Sequence, residues 1–180
     1  CTASAIEWQY RFKWDDIKRI KDKFDIPIIL KGIGTAEDAR LCVEHGIEGI
    51  YVSNHGGRQL DHGRGSLEVL PEVVTEVNGR AEVYIDGGFM RGSDVVKAMA
   101  MGANAIGLGR LQGMALGAKG REGITRMLEL LELEIRICLG LLGVTSFAEL
   151  NNNYLSPVHP VEIPGPLSAF PLLFEKYLND

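Results

Sequence analysis

The stretch Ser53-Asn54-His55-Gly56-Gly57-Arg58-Gln59 sets unlike chemical groups side by side. His55 can take or give a proton near neutral pH. Arg58 presents a rigid fork of donors that matches a carboxylate. Gly56 and Gly57 let a flat ligand approach the backbone closely. A Gly-rich surface turn would contain the same residue types, and short motifs recur by chance. What lends this one weight is the apolar run before it, Gly49-Ile50-Tyr51-Val52, which reads as a buried strand and delivers the turn to a rim.

The elements that must position these groups follow from periodicity and punctuation. Trp14, Ile17, Ile20 and Phe24 share one face of a helix. Pro27 opens a strand, Ile28-Ile29-Leu30, that ends in Lys31. Thr35 caps a helix, with Asp38 as the reciprocating acid, and that helix runs to His45 and stops at Gly46. After the strand to Ser53 comes a polar loop over 56–66, then a helix from Leu67 to Asn78 that ends at Gly79. Glu82-Val83-Tyr84-Ile85 is a third strand, closed by Asp86-Gly87-Gly88. Ser93 or Asp94 caps a helix to Met101. Ala105-Ile106-Gly107-Leu108 is a fourth strand, closed by Gly109-Arg110. A small-residue helix over 111–119, a long helix over 121–142 and a capping box at Ser146–Glu149 complete the ordered reading.

Short strands, apolar on both faces and alternating with helices, predict a parallel sheet in an α/β fold. The segment from Glu37 through Gly46 to Ser53 aligns without gaps with Ser93 through Gly102 to Gly109. A repeat of about 55 residues is two βα units, which suits a TIM (β/α)8 barrel better than a doubly wound sheet. With four strands, the chain is the C-terminal half of such a barrel plus C-terminal helices and a tail. The half-barrel spans 1–150. Over 151–180, Pro157, Pro160, Pro164, Pro166 and Pro171 break regular structure. Leu155, Val158, Leu167, Phe170, Leu172, Leu173 and Phe174 predict that this tail packs on the barrel or a neighbouring subunit.

Active sites of such barrels lie at the C-terminal strand ends. Here those ends carry Lys31, Ser53-Asn54-His55, Asp86-Gly87-Gly88 and Gly109-Arg110. Any one of them has a structural explanation; together on one rim they point to a shared ligand. Gly turns leading into helix starts expose amide N–H groups and favour anions. With Arg91 and Arg110 they form a phosphate site. Lys31 can set a positive charge beside an electron-rich ring.

Over Trp14 to about Leu155 the chain resembles the C-terminal half of the FMN-dependent α-hydroxy acid oxidases and dehydrogenases. The resemblance is carried by Pro27-Ile28-Ile29-Leu30-Lys31-Gly32-Ile33, by Ser53–Gln59 in full, by Asp86-Gly87-Gly88 and by Gly107-Leu108-Gly109-Arg110. It implies FMN as cofactor and oxidation of an (S)-2-hydroxy acid to the 2-oxo acid. It implies that His55 is the proton acceptor and that Arg58 binds the substrate carboxylate. Lys31 and Ser53 would contact the flavin ring, with Gly56 close by. Asp86, Gly87, Gly88, Arg91, Gly109 and Arg110 would hold ribityl and phosphate. Two positions depart from the pattern: Met90 stands where an arginine is usual, and Gly34 replaces a larger residue. Other flavin or phosphate barrels, of the isopentenyl diphosphate isomerase or dihydroorotate dehydrogenase type, share the Gly-Gly turns but are not expected to carry the full heptad. A non-catalytic half-barrel serving binding or assembly is the rival from another class.

Composition narrows the partners. The 180 residues carry a net charge of -5, which argues against nucleic acid. Charged residues through Ile124–Gly143 make that apolar stretch a helix of a soluble protein rather than a membrane span. Cys1, Cys42 and Cys138, odd in number and without metal spacing, read as free thiols in a reducing compartment, the cytoplasm or, by the resemblance, the peroxisome. No metal site and no targeting signal are visible. The resemblance further implies a homo-oligomer, a tetramer. The start at Cys1 falls where the family has a variable loop after its fourth strand. A companion chain carrying the N-terminal half-barrel is therefore expected.

Overall fold

The computed structural model describes residues 11–60 and 62–158. Helix α1 (Trp14–Lys23) precedes β1 (Ile29–Ile33), α2 (Ala36–Glu44), β2 (Gly49–Val52), α3 (Ser66–Val77), β3 (Glu82–Asp86), α4 (Gly92–Ala100), β4 (Ala105–Gly107) and α5 (Arg110–Leu142). The strands form one parallel sheet in the order β1-β2-β3-β4. Every crossover steps to the next strand in the same direction. A doubly wound sheet reverses direction at a switch point, so this winding is that of half a (β/α)8 barrel.

The register sorts side chains onto two faces. Leu30, Ile50 and Val83 align, as do Ile33, Val52, Ile85 and Ile106. They meet Ala39 and Cys42 of α2 and Leu70, Val73 and Val77 of α3 in one core. Burying an aliphatic side chain as fully as Ile50, Leu70 or Ile85 contributes about 1.5–3 kcal/mol. On the opposite, concave face stand Ile29, Lys31, Tyr51, Tyr84 and Asp86. Ile29 is 56% exposed, and the Tyr51 and Tyr84 rings meet edge-on at 6.0 Å. Gly32, at φ 107°, breaks the β1–β2 register. That irregularity leaves Lys31 on the concave side and sends Ile33 into the helical core. The strand pattern alone predicts Ile29, Tyr51 or Val52, Tyr84 and Ile106 toward the barrel interior; the structure turns Tyr51 inward and corrects Ile106, which packs with the helices because it pairs with fully buried Ile85.

The helices match expectation in place and differ at their ends. The Thr35 hydroxyl accepts the Asp38 N–H at 3.1 Å. Neither Ser93 nor Asp94 caps α4; the helix starts at Gly92. The Asp94 carboxylate reaches back to accept the Met90 and Arg91 N–H groups at 3.1 and 3.0 Å. The two helices expected after Arg110 run on as α5, broken at Lys119 and Gly120. Of the apolar face of α1, Ile17 is buried and Trp14 packs on the core, while Ile20 and Phe24 stay exposed. The capping box at Ser146–Glu149 opens a 3-10 turn. α4 and α5 share a second core of Val96, Leu139 and Val144. Leu155 is half-buried and Val158 is exposed. Cys1 and the tail from residue 159 lie outside the described residues. Among the described residues no helix is long and apolar enough to cross a membrane. Nor is any group of three or more His, Cys, Asp or Glu placed to hold a metal.

Candidate active site

The C-terminal ends of the four strands surround an open cavity of about 730 Å³. Lys31, His55, Gly56, Arg58, Asp86, Gly87, Gly88, Gly109 and Arg110 line it, with Phe89, Met90, Gly107, Leu111 and Met114. Most of the residues expected at the site from the sequence are thus brought to one wall.

A polar network underlies the rim. Lys31 Nζ lies 2.9 Å from Asp86 Oδ2 and donates to Ser53 Oγ at 2.7 Å. The Ser53 hydroxyl also accepts the His55 main-chain N–H at 3.1 Å. Ser53 is buried and does not line the cavity; it acts on the site through these two bonds. The ammonium group of Lys31 stands 5.0 Å from the Tyr51 ring centre. Burial, and after it the charge of Asp86, push the Tyr51 phenol above its usual pKa. Tyr51 therefore stays neutral beside the pair at physiological pH.

The groups suited to an anion come from backbone as much as from side chains. Gly87 and Gly88 follow one another at φ 104° and 81°, a conformation that a β-carbon would strain. Gly109 stands at the start of α5 without a side-chain cap, so the first N–H groups of the helical segment before the Lys119–Gly120 break have no intrahelical partner at its positive end. Arg110 is the first residue of that helix, and its Nη2 donates to the Gly56 carbonyl at 3.3 Å. That bond ties the anion site to the turn His55–Gly57.

His55 and Arg58 stand exposed at the mouth. His55 has φ 53°, a left-handed conformation that costs a non-glycine residue about 1–2 kcal/mol. Arg91 stands apart. It does not line the cavity, and its Nε pairs with Glu134 Oε1 of α5 at 2.8 Å. The same Glu134 accepts the Gly92 N–H at 2.7 Å; that bond first, and then Arg91, hold its carboxyl below the usual range. Nothing local in the sequence marks Glu134 as the partner of Arg91, because the two lie far apart in the chain. Asn54, which the sequence places at the strand end without a role, closes the His55 turn with its side chain.

The residues present fit FMN. Asp86 Oδ1 is buried without a hydrogen-bond partner among the described residues, a costly state that a ligand hydroxyl would relieve. The Gly87-Gly88 turn, the α5 start and Arg110 suit a phosphate. Lys31 suits the electron-rich edge of a flavin ring.

The comparisons with known proteins agree. A family model described as FMN-dependent dehydrogenase matches residues 2–157. The 2-hydroxyacid oxidase 2 of Mus musculus is 49% identical over 138 residues, 77% of this chain and 39% of that protein. The L-lactate oxidase of Nostoc sp. is 43% identical over 144 residues, 79% of this chain and 39% of its own length. Crystallographic mandelate oxidase superposes with a TM-score of 0.74 at 45% identity, covering 76% of this chain and 40% of that one. A mandelate oxidase variant solved with an FMN adduct gives the same TM-score, 0.74. The chain spans about two fifths of the length of these relatives, 39% of the first two. Motifs, winding, cavity and matches coincide over the same residues, and the chain belongs to the FMN-dependent dehydrogenase family.

Proposed function

We propose that this chain supplies the C-terminal half of an FMN-dependent enzyme that oxidises a small (S)-2-hydroxy acid to the 2-oxo acid. The observation that carries the reading is the convergence of His55, Arg58, Lys31 and the two Gly turns on one cavity at the strand ends. When bound, FMN supplies the two-electron acceptor. Lys31, Gly56, Asp86, Gly87, Gly88, Gly109 and Arg110 would hold it, with Ser53 fixing the Lys31 ammonium group. Arg91 supports the α4 start from outside the cavity.

The Arg58 guanidinium receives the substrate carboxylate, and its fork sets the substrate's orientation. His55 takes the hydroxyl or α-proton as the two electrons leave, and the resulting imidazolium sits near the carboxylate of the bound acid. The substrate thereby loses two protons and two electrons in all, one proton to His55 and the other proton and the electron pair to the bound acceptor, which matches the change from 2-hydroxy to 2-oxo acid. The concave sheet face, open among the described residues, is completed by a companion segment carrying the N-terminal half-barrel. The completed enzyme assembles as a homo-oligomer.

The test is a visible spectrum of this chain assembled with the companion segment, then anaerobic addition of glycolate, lactate and mandelate. The expected result is a yellow flavin spectrum that one or more of the acids bleaches. A flavin spectrum that none bleaches favours a binding or assembly role, and no flavin uptake at all overturns the reading.

A further inference from the structure

His55 reaches the cavity in a conformation its own side chain does not favour. Its φ is 53°, and Gly56 and Gly57 follow at 68° and 70°. The chain thus turns left-handed over consecutive residues, which glycine accepts freely and histidine does not. Among the described residues, His55 is held by one hydrogen bond, from its main-chain N–H to Ser53 Oγ at 3.1 Å, and none engages the imidazole. The direction of the ring is therefore inherited from the backbone.

Asn54 grips that backbone. Its Oδ1 accepts the Gly57 N–H at 3.2 Å, beside the Asn54 main-chain carbonyl, which accepts the same N–H at 3.0 Å. Its Nδ2 donates to the Arg64 carbonyl at 3.1 Å. Arg64 is itself anchored on α3, with Nη1 2.8 Å from Glu72 and Nε 3.3 Å from Glu68. One amide therefore joins the His55 turn to the start of a helix whose buried face is part of the main core.

We propose that Asn54 is a positioning residue that holds His55 left-handed, so that its imidazole and Arg58 address one substrate. The kinetic part of this inference rests on the reading of His55 as proton acceptor; the conformational part does not. Asn54→Ala removes both side-chain bonds. Asn54→Asp keeps an acceptor for the Gly57 N–H and sets a second acceptor against the Arg64 carbonyl.

The test compares both variants with the wild type as FMN-loaded protein. It follows hydrogen exchange at the Gly57 amide, the imidazole NMR resonances of His55, and the limiting rate of flavin reduction by a 2-hydroxy acid. Asn54→Ala is expected to speed Gly57 exchange, to shift or split the His55 resonances, and to lower the limiting rate ~10–100-fold with a much smaller change in substrate Kd. Asn54→Asp is expected to fall between the two. Unchanged exchange and unchanged His55 resonances in Asn54→Ala overturn the inference, as does a loss confined to substrate Kd. If Asn54→Ala does not fold, Asn54→Asp decides: displaced His55 resonances in a folded variant support the clasp, and undisplaced ones overturn it. Wild-type flavin reduction by His55→Ala would instead remove His55 as the acceptor, while exchange and NMR still judge the clasp.

Discussion

At the scale of single residues, the proposed division of proton and carboxylate between His55 and Arg58 makes two separable predictions. His55→Ala is expected to lower the rate of flavin reduction by ~10²–10⁴-fold with FMN still bound, since a positioned base contributes about that much. Stopped-flow absorbance under anaerobic conditions measures it. Arg58→Lys keeps the charge and loses the fork, so KM should rise and kcat should fall; steady-state kinetics on the best substrate checks both. The cysteines give a prediction that needs no substrate. Burial, and then the charge of Asp38, push the Cys42 thiol up to about 12. Cys42 is fully buried and Cys138 half-buried. A thiol reagent at pH 8 should therefore leave Cys42 unmodified in the native protein and reach it only on unfolding, because the thiolate is the reactive form. Mass spectrometry of the labelled peptides locates the adducts.

Elements set those residues in place, and α4 and α5 show how. Glu134 of α5 accepts the first N–H of α4 and pairs with Arg91, and its carboxyl is held below the ordinary 4.5. A carboxyl lowered by folding contributes stability that is present above the unfolded value and fades as pH falls through the folded one. The wild type should therefore exceed Glu134→Gln in urea midpoint at pH 7, and the two should converge as pH drops below about 4.5. Helix and strand positions were legible in the sequence because glycines and caps punctuate them: Thr35, Gly46, Gly79 and Gly102 each mark a real end. Most of the cavity was legible because polar or glycine residues, Lys31, Ser53, Asp86 and Gly107, stand at or beside the C-terminal ends of the strands. The partner of Arg91 was not legible, because Glu134 joins it only through the packing of α4 on α5. The inward face of β4 was not legible either. Strands of a parallel sheet are apolar on both sides, so alternation does not separate Ile106 from its neighbours. The start of α4 escaped because Ser93 and Asp94 are both good caps, while the structure uses Asp94 from inside the first turn.

On the scale of the whole molecule, the sheet is covered by helices on one side. The other side, with Ile29, Tyr51 and Tyr84, lies open among the described residues. Parallel sheets are normally covered on both faces, and among the described residues β1 and β4 each present an unpaired edge. A polypeptide carrying the family's upstream half, produced together with this chain, is expected to co-purify with it in a one-to-one complex. That complex should bind FMN far more tightly than riboflavin, which lacks the phosphate. Gel filtration with mass spectrometry reads the stoichiometry and fluorescence quenching reads the affinities. A monodisperse, FMN-binding species made of this chain alone would contradict the expectation.

The strand order has a kinetic side. Each strand pairs only with its neighbours along the chain, and β1 and β4 never meet. Every contact that builds the sheet thus closes a loop no longer than one βα unit, so little chain entropy is lost before a pairing is made. Such a segment can zip up stepwise as it emerges from the ribosome. Its two glycine turns at Gly87-Gly88 and Gly109, borne on the last two strands, would then form without waiting for any distant part of the polypeptide.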